Sequence, residues 1–262
     1  MKNRTRKALH DYVIVIPTYK RADVFFKKTY TRIIQRYNLS HKVLLLIQCD
    51  EDEVAYQKCT PHLKQLRTPK GLLHTVNYVA KYYPKNKHIV IMHDDITRLL
   101  HINPPSAQRI TVKNADQLFC TMFKLMIQHN CNLGGFYPTN YPLSMVRQPN
   151  ITTDLRFIHD PITLIRNQKL MLNERFAYKM DFERTIQYYK QDKRVFRLNH
   201  YTFCTAYNPK TTTGGFGYRN PQDEKRASEA FQKEYAPYIS RMITHKKGST
   251  SFVLVKAPKL QT

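Results

Sequence analysis

No apolar run in this chain approaches the roughly 18 residues of a membrane-spanning helix. The basic opening MKNRTRKALHDY also lacks the apolar core of a signal peptide. The expected location is therefore the cytosol or nucleus, with no membrane partner. Cysteine is sparse: Cys49, Cys59, Cys120, Cys131 and Cys204 are scattered, odd in number, and never paired as CxxC. Neither a disulfide framework nor a zinc knuckle is expected. No internal repeat or low-complexity linker divides the chain. Acids are few, with 19 Asp and Glu against 43 Lys and Arg and a formal net charge of +24. Such an excess concentrates polyanions by long-range attraction and counterion release, which makes nucleic acid the leading partner. An anionic membrane fits less well, because no basic amphipathic helix ending in Trp or Leu accompanies the charge.

What is present is a globular composition, 42% hydrophobic and 12% aromatic, over 262 residues. Tyr12 to Ile16 reads as a buried strand ended by Pro17, which cannot continue a ladder. Thr18, Tyr19, Lys20 and Arg21 form the loop after it. The apolar spacing from Asp23 to Tyr37 suits an amphipathic helix, with Asp23 as a possible cap. Val43 to Ile47 is a second strand running into Gln48, Cys49, Asp50 and Glu51, with a short helix beginning near Val54. Leu63 to Leu66 reads as a weaker strand, with a loop from Thr68 to Gly71, and Leu72 to Tyr83 as a helix. This alternation predicts an α/β fold with a doubly wound, mostly parallel sheet.

The next strand carries the strongest signal. Ile89 to Met92 is an unbroken apolar run entered from the Pro84–Lys87 turn, and His93, Asp94 and Asp95 follow at once. In open α/β sheets, ligands sit beyond the carboxyl ends of the strands. Adjacent carboxylates there repel unless a cation or water screens them. A divalent cation, Mn²⁺ or Mg²⁺, on a substrate phosphate is the natural partner. Asp95 is the first candidate ligand, Asp94 the second and His93 the third.

Beyond Thr97 the pattern is less regular. Pro104-Pro105 breaks the chain and Asp116 to His129 reads as a helix. The segment from Gly134 to Met145 resembles neither helix nor simple strand. Phe157 to Ile158 and Ile162 to Ile165 read as antiparallel strands, and Asp181 to Tyr189 as a helix. Val195 to Leu198, Tyr201 to Ala206 and the late SFVLV read as strands. Thr211 to Arg219 is a glycine-containing loop, and Pro221 to Tyr235 a charged helix. The whole reads as one domain over residues 1–262. A nucleotide half covers about 11–100, an acceptor half about 101–240, and a basic arm flanks each end.

Strand one ending in Pro17-Thr18-Tyr19-Lys20-Arg21, strand two ending in QCDEDE and the His93-Asp94-Asp95 strand together resemble the nucleotide-sugar half of a GT-A glycosyltransferase. Those motifs, followed in order by Gly134-Gly135, Asp181-Phe182-Glu183, and Gly214-Gly215 with Arg219, resemble the TET-associated glycosyltransferase family. That group includes phage and viral enzymes and the kinetoplastid base J glucosyltransferase. The resemblance runs from about Ile14 to Tyr238 through short motifs, and it departs at His93, where family members usually carry a third Asp.

The resemblance implies a GT-A-like, Rossmann-type sheet with a smaller mixed acceptor half. It implies an inverting, divalent-metal-dependent transfer of a sugar, typically glucose from UDP-glucose, onto a hydroxymethylated pyrimidine in DNA. Pro17, Thr18, Tyr19, Arg21, Asp50, Asn77, Asp94, Gly134, Gly135, Gly214, Gly215 and Arg219 are then donor-binding candidates. Asp181 is the candidate general base, and Glu183 would orient a sugar hydroxyl. Arg197 and Arg219 could clamp the diphosphate. Phe136, Tyr137 and Tyr141 are candidates for stacking on an acceptor base, although core packing explains them better. Two rivals stay open: a protein or glycan acceptor, and a nucleic-acid-binding protein with a non-catalytic GT-A fold.

Overall fold

The computed structural model describes residues 11–206, 221–245 and 249–256. Its centre is an eight-stranded sheet in the order β3-β2-β1-β4-β9-β7-β10-β8. The strands are β1 (Tyr12–Pro17), β2 (Val43–Ile47), β3 (Lys64–Arg67), β4 (His88–Met92), β7 (Leu133–Phe136), β8 (Ile151–Thr152), β9 (Ile162–Arg166) and β10 (Phe196–Leu198). Strands β1 to β4 pair in parallel, and so do β7 and β10, whereas β9 runs antiparallel between β4 and β7. A three-stranded sheet is built from β5 (Ile96–Asn103), β6 (Gln108–Thr111) and β11 (Tyr201–Thr205). Strands β12 (Ile239–Thr244) and β13 (Thr250–Leu254) form a separate hairpin.

The near-continuous apolar strands are explained by burial on both faces. Ile14 and Ile16 of β1 join one core with Phe25, Ile33, Tyr56, Phe119 and Met122. Val15 faces the other core with Leu73, Val76, Phe182, Ile186 and Phe231. Helices Ala22–Phe25, Asp50–Cys59 and Ala115–Gln128 therefore cover one face, and Leu72–Tyr82, Met180–Asp192 and Pro221–Glu234 the other. The chain leaves β1 toward β2 and β3, then returns to place β4 on the opposite side of β1. This reversal creates the switch point at which α/β sheets bind ligands.

Several elements differ from the sequence reading. The helix after β1 begins at Ala22 and continues from Phe26 to Gln35 with π-helical winding, while Arg21, not Asp23, occupies the cap position. The acids after β2 form the first turn of helix Asp50–Cys59 rather than a loop, where the helix dipole favours negative charge. The stretch after Thr97 is an ordered β5–β6 hairpin, and β12 was not foreseen at all. Phe157 and Ile158 are not strand, while Gly134 and Gly135 are, lying in β7 between β9 and β10.

That last placement has a steric cause. A Cβ on Gly134 would lie 2.6 Å from Met126 Sδ, and one on Gly135 would lie 2.6 Å from Ile158 Cγ2. The methionine end can swing aside, but a β-branched side chain is stiff at χ1. Gly135→Ala should therefore destabilise by about 1–3 kcal/mol, and Gly134→Ala by less, in urea denaturation. Equal costs would contradict the packing account.

Candidate active site

The carboxyl end of β4 turns sharply through His93, Asp94 and Asp95 into β5. Thr29, on the π-wound helix, clamps this turn from behind. Its Oγ1 donates to the His93 carbonyl at 3.0 Å and accepts from the Ile96 amide at 2.8 Å. The His93 amide donates to the Pro161 carbonyl at 2.9 Å, and the Ala206 amide to the Asp95 carbonyl at 2.8 Å. The backbone is thus fixed on both sides, and both carboxylates are buried, Asp94 at 4% exposure and Asp95 at 6%.

One guanidinium answers both acids. Arg21 Nη1 lies 3.1 Å from Asp94 Oδ1 and Nη2 lies 3.5 Å from Asp95 Oδ2. Thr18 donates to Asp94 Oδ2 at 2.9 Å and also meets the buried Tyr56 hydroxyl. Burial outweighs the opposing pull of Arg21, and with repulsion from Asp95 it pushes the Asp94 carboxyl up to about 6. Asp94 is thereby committed to protein partners, whereas Asp95 Oδ1 is buried with no hydrogen-bond partner. Among the described residues no group of three His, Cys, Asp or Glu side chains forms a metal cage. The donor set still fits a hard cation of the Mg²⁺ or Mn²⁺ kind, which is bound through one or two carboxylates together with substrate phosphates. Asp95 would hold it, with Asp94 beside it.

The loops after β1, β2 and β3 are strapped together by Gln48. Its Nε2 donates to the Thr18 carbonyl at 3.3 Å, and its Oε1 accepts from the Gly71 amide at 2.7 Å. Gly71 has φ +103°, a conformation that only glycine adopts cheaply. Tyr19 lies between two ammonium groups, with Lys20 Nζ 5.6 Å and Lys70 Nζ 5.5 Å from its ring centre. Asp50 is 92% exposed on its side chain and pairs with Arg67 at 2.7 Å. Asp52 is the buried acid of this turn: its Oδ1 accepts from the Lys20 amide at 2.8 Å, and its Oδ2 has no hydrogen-bond partner. Pro17 ends β1 in register with Leu46. Thr18, Tyr19, Arg21 and Asp94 thus converge at one edge, with Asp52 and Tyr56 as contributors the sequence reading did not single out.

Topology brings the second half to the same edge. Strand β10 is parallel to β7, and two antiparallel steps through β9 make β7 parallel to β4. A helix feeding β10 must therefore start at the carboxyl edge of β4, and Asp181 lies in its first turn. There Asp181 Oδ1 accepts from the Phe182 amide at 2.9 Å. Glu183 points elsewhere. It is 1% exposed, both its oxygens accept from the Asn173 amide at 3.1 Å, and the Tyr235 hydroxyl donates to Oε1 at 3.2 Å. Its carboxylate is committed to the fold, which leaves no oxygen free to orient a sugar hydroxyl.

Other candidates are also held by the scaffold. Asn77 exchanges two 2.8 Å hydrogen bonds with the Leu172 backbone. Gly134 and Gly135 lie inside the sheet. Arg197 is buried, donating to Asn199 Oδ1 at 2.7 Å and lying 5.1 Å from the Tyr137 ring centre. Phe136 belongs to the core, while Tyr141 is 56% exposed. Thr211 to Thr213, Gly214, Gly215 and Arg219 lie outside the described residues, as do residues 1–10 and Lys246-Lys247. His159, Asp160 and Arg184 were missed. Asp160-Pro161 before an apolar run was the available signal, but it becomes meaningful only once β9 is known to start at this edge.

No family model matches the chain, and no curated protein does. Among solved structures, the fold is similar to glucosyl-3-phosphoglycerate synthase from Mycobacterium tuberculosis. The complex of that protein with Mn²⁺, UDP-glucose and phosphoglyceric acid matches at TM-score 0.51 and 10% identity, over 98% of this chain and 93% of that one. Its complex with Mg²⁺ and UDP matches at TM-score 0.51 and 8% identity, over 98% and 92%. The mannosyltransferase PcManGT from Pyrobaculum calidifontis, in complex with GDP-Man and Mn²⁺, matches at TM-score 0.40 and 14% identity over 60% of this chain; the match spans 44% of that protein. The likeness to glucosyl-3-phosphoglycerate synthase is one of fold, which is α/β, GT-A-like and Rossmann-type. Among the described residues, no helix is long and apolar enough to cross a membrane.

The site also sets a pH dependence. Burial, reinforced by the neighbouring His93 and opposed by a hydrogen bond to Pro138, pushes the His159 imidazole down to about 4. A histidine kept neutral in the fold stabilises fully above its unfolded value of 6.5 and loses that contribution as pH falls toward 4. The loss amounts to ~3 kcal/mol over that range. His159→Phe, which keeps the ring contacts with Phe157 and Phe203, should flatten stability between pH 6.5 and 4. An unchanged slope in urea titrations across that range would refute the assignment.

Proposed function

We infer that the chain is a glycosyltransferase that moves a sugar, glucose in the first instance, from a UDP-sugar to the hydroxyl of a 5-hydroxymethylpyrimidine in DNA. The observation that carries the donor half is the pair Asp94 and Asp95. They are buried together at the switch point of a GT-A-like sheet, with Arg21 against both and one Asp95 oxygen unused. The similar solved structures hold UDP or UDP-glucose with a divalent cation, which supports the same donor chemistry here. The DNA acceptor is supported by the +24 charge and the ordered motifs that resemble the TET-associated glycosyltransferases.

Each residue has a task in this reading. The Gln48 strap and the loop at Tyr19 and Lys20 form the nucleoside edge, with the buried Asp52 holding the Lys20 amide. Arg21 keeps the two carboxylates together, and the Asp95 oxygen that no protein group has taken is the one a cation would use. A divalent cation, when bound, neutralises charge developing on the leaving diphosphate. Asp181 takes the proton of the acceptor hydroxyl. The hydroxyl oxygen bonds to the anomeric carbon as the bond to the diphosphate breaks, and the electron pair leaves with UDP. The displacement inverts the anomeric centre.

The test is incubation with UDP-glucose, Mn²⁺ and DNA containing 5-hydroxymethylcytosine or 5-hydroxymethyluracil, followed by mass spectrometry of the nucleosides. A hexosylated nucleoside is expected, and EDTA should abolish it. Asp181→Asn should lower kcat by about 10²- to 10⁴-fold with unchanged thermal stability. Glu183→Gln should chiefly lower stability, since it disturbs a buried acceptor. Near wild-type turnover in folded Asp181→Asn would remove the base assignment. DNA binding without UDP- and Mn²⁺-dependent stabilisation would favour the non-catalytic rival.

A further inference from the structure

Behind the candidate donor site lies a buried charged chain that the reading above does not use. Asp160 sits just before β9, and Arg184 lies about one turn into helix Met180–Asp192, which carries Asp181. The two form a buried ion pair, and Arg184 Nη1 has no hydrogen-bond partner. The other oxygen of Asp160, Oδ2, stands 3.8 Å from His93 Nε2, which is itself buried without a hydrogen-bond partner. The segment carrying Asp160 is fixed from both sides. The Ile158 amide donates to Thr185 Oγ1 at 3.2 Å, and the Pro161 carbonyl accepts from the His93 amide at 2.9 Å.

A separation of 3.8 Å is electrostatic contact rather than a hydrogen bond. A neutral imidazole has one N–H and one lone pair, and the partner of one nitrogen decides the role of the other. Asp160 accepts only, so the nitrogen facing it is the donor. We propose that Asp160, held by Arg184, is a positioning residue for His93. It takes the Nε2–H and so leaves Nδ1 as a lone-pair nitrogen that accepts a hydrogen bond from a hydroxyl of the bound nucleotide sugar. The inference rests on the donor reading given above. It also links the helix of Asp181 to the His93-Asp94-Asp95 turn, so the acceptor and donor halves share one buried ion pair.

Removing Asp160 alone would strand Arg184, and an amide oxygen at 160 could still accept from His93, so the informative variant is Asp160→Leu with Arg184→Met. The methionine side chain suits a position lined by Val76, Ile89, Ile91 and Ile165, and apolar replacement of a buried ion pair is often neutral for stability. Calorimetric titration with UDP-glucose and with UDP, both in Mn²⁺, reads the effect. The folded double variant should bind UDP-glucose about tenfold more weakly, and His93→Ala should match it. Combining all three changes should cost no more than His93→Ala alone, because one interaction cannot be lost twice. A loss seen equally with UDP assigns the hydroxyl to the ribose, and a loss confined to UDP-glucose assigns it to the sugar. Unchanged affinity in the double variant, or additive losses in the triple, would overturn the proposal while wild-type binding stands. A wild-type chain without affinity for either nucleotide would overturn the donor reading along with it.

Discussion

Two carboxylates in one dry turn are unfavourable unless something opposes their mutual repulsion, and here a single guanidinium does so. Arg21 reaches Asp94 and Asp95 from the start of the helix after β1, so the site exists only where the ends of β1 and β4 are neighbours. The parallel pairing of these strands, with Val13 opposite Ile89 and Val15 opposite Ile91, fixes that neighbourhood. The Thr29 clamp then sets the turn's shape, and the Gln48 strap brings the β2 and β3 loops alongside. Asp94 is absorbed by Thr18 and Arg21, while Asp95 keeps an oxygen for a ligand. The division of labour between adjacent acids is thus a matter of which oxygens the scaffold has already taken.

The same logic separates Asp181 from Glu183. They are two residues apart on one helix, so their side chains leave in directions about 200° apart. Asp181 stays half-buried in the first turn at the working edge. Glu183 turns inward to the Asn173 amide and the Tyr235 hydroxyl and ties the helix to the segment before it. A sequence motif treats the two as one acidic unit, whereas the helix makes one of them part of the core.

Much of the fold could be read in advance. The apolar runs at Tyr12, Val43 and Ile89 each announce a strand buried on both faces, and the helical spacing between them implies the parallel half-sheet. Strands β6 and β12 escaped because they bury little, and β5 because its buried Ile96, Leu99, Leu100 and Ile102 do not alternate strictly with polar residues. Gly134 and Gly135 suggested a ligand loop, but their smallness serves close packing against Met126 and Ile158.

By itself the sequence determined the chemistry on offer: a strand ending in His93, Asp94 and Asp95, a cationic loop at Lys20 and Arg21, and a charge suited to polyanions. These follow from residue identity and short-range order, which a chain carries before it folds. Tertiary structure alone decided which acid is spoken for, that Asp52 and not Asp50 is the buried one, and that Asp160 and Arg184 stand behind His93. Each of those outcomes depends on strand direction and sheet order, because partners as distant in sequence as Arg21 and Asp94, or His93 and Asp160, meet only when the sheet assembles.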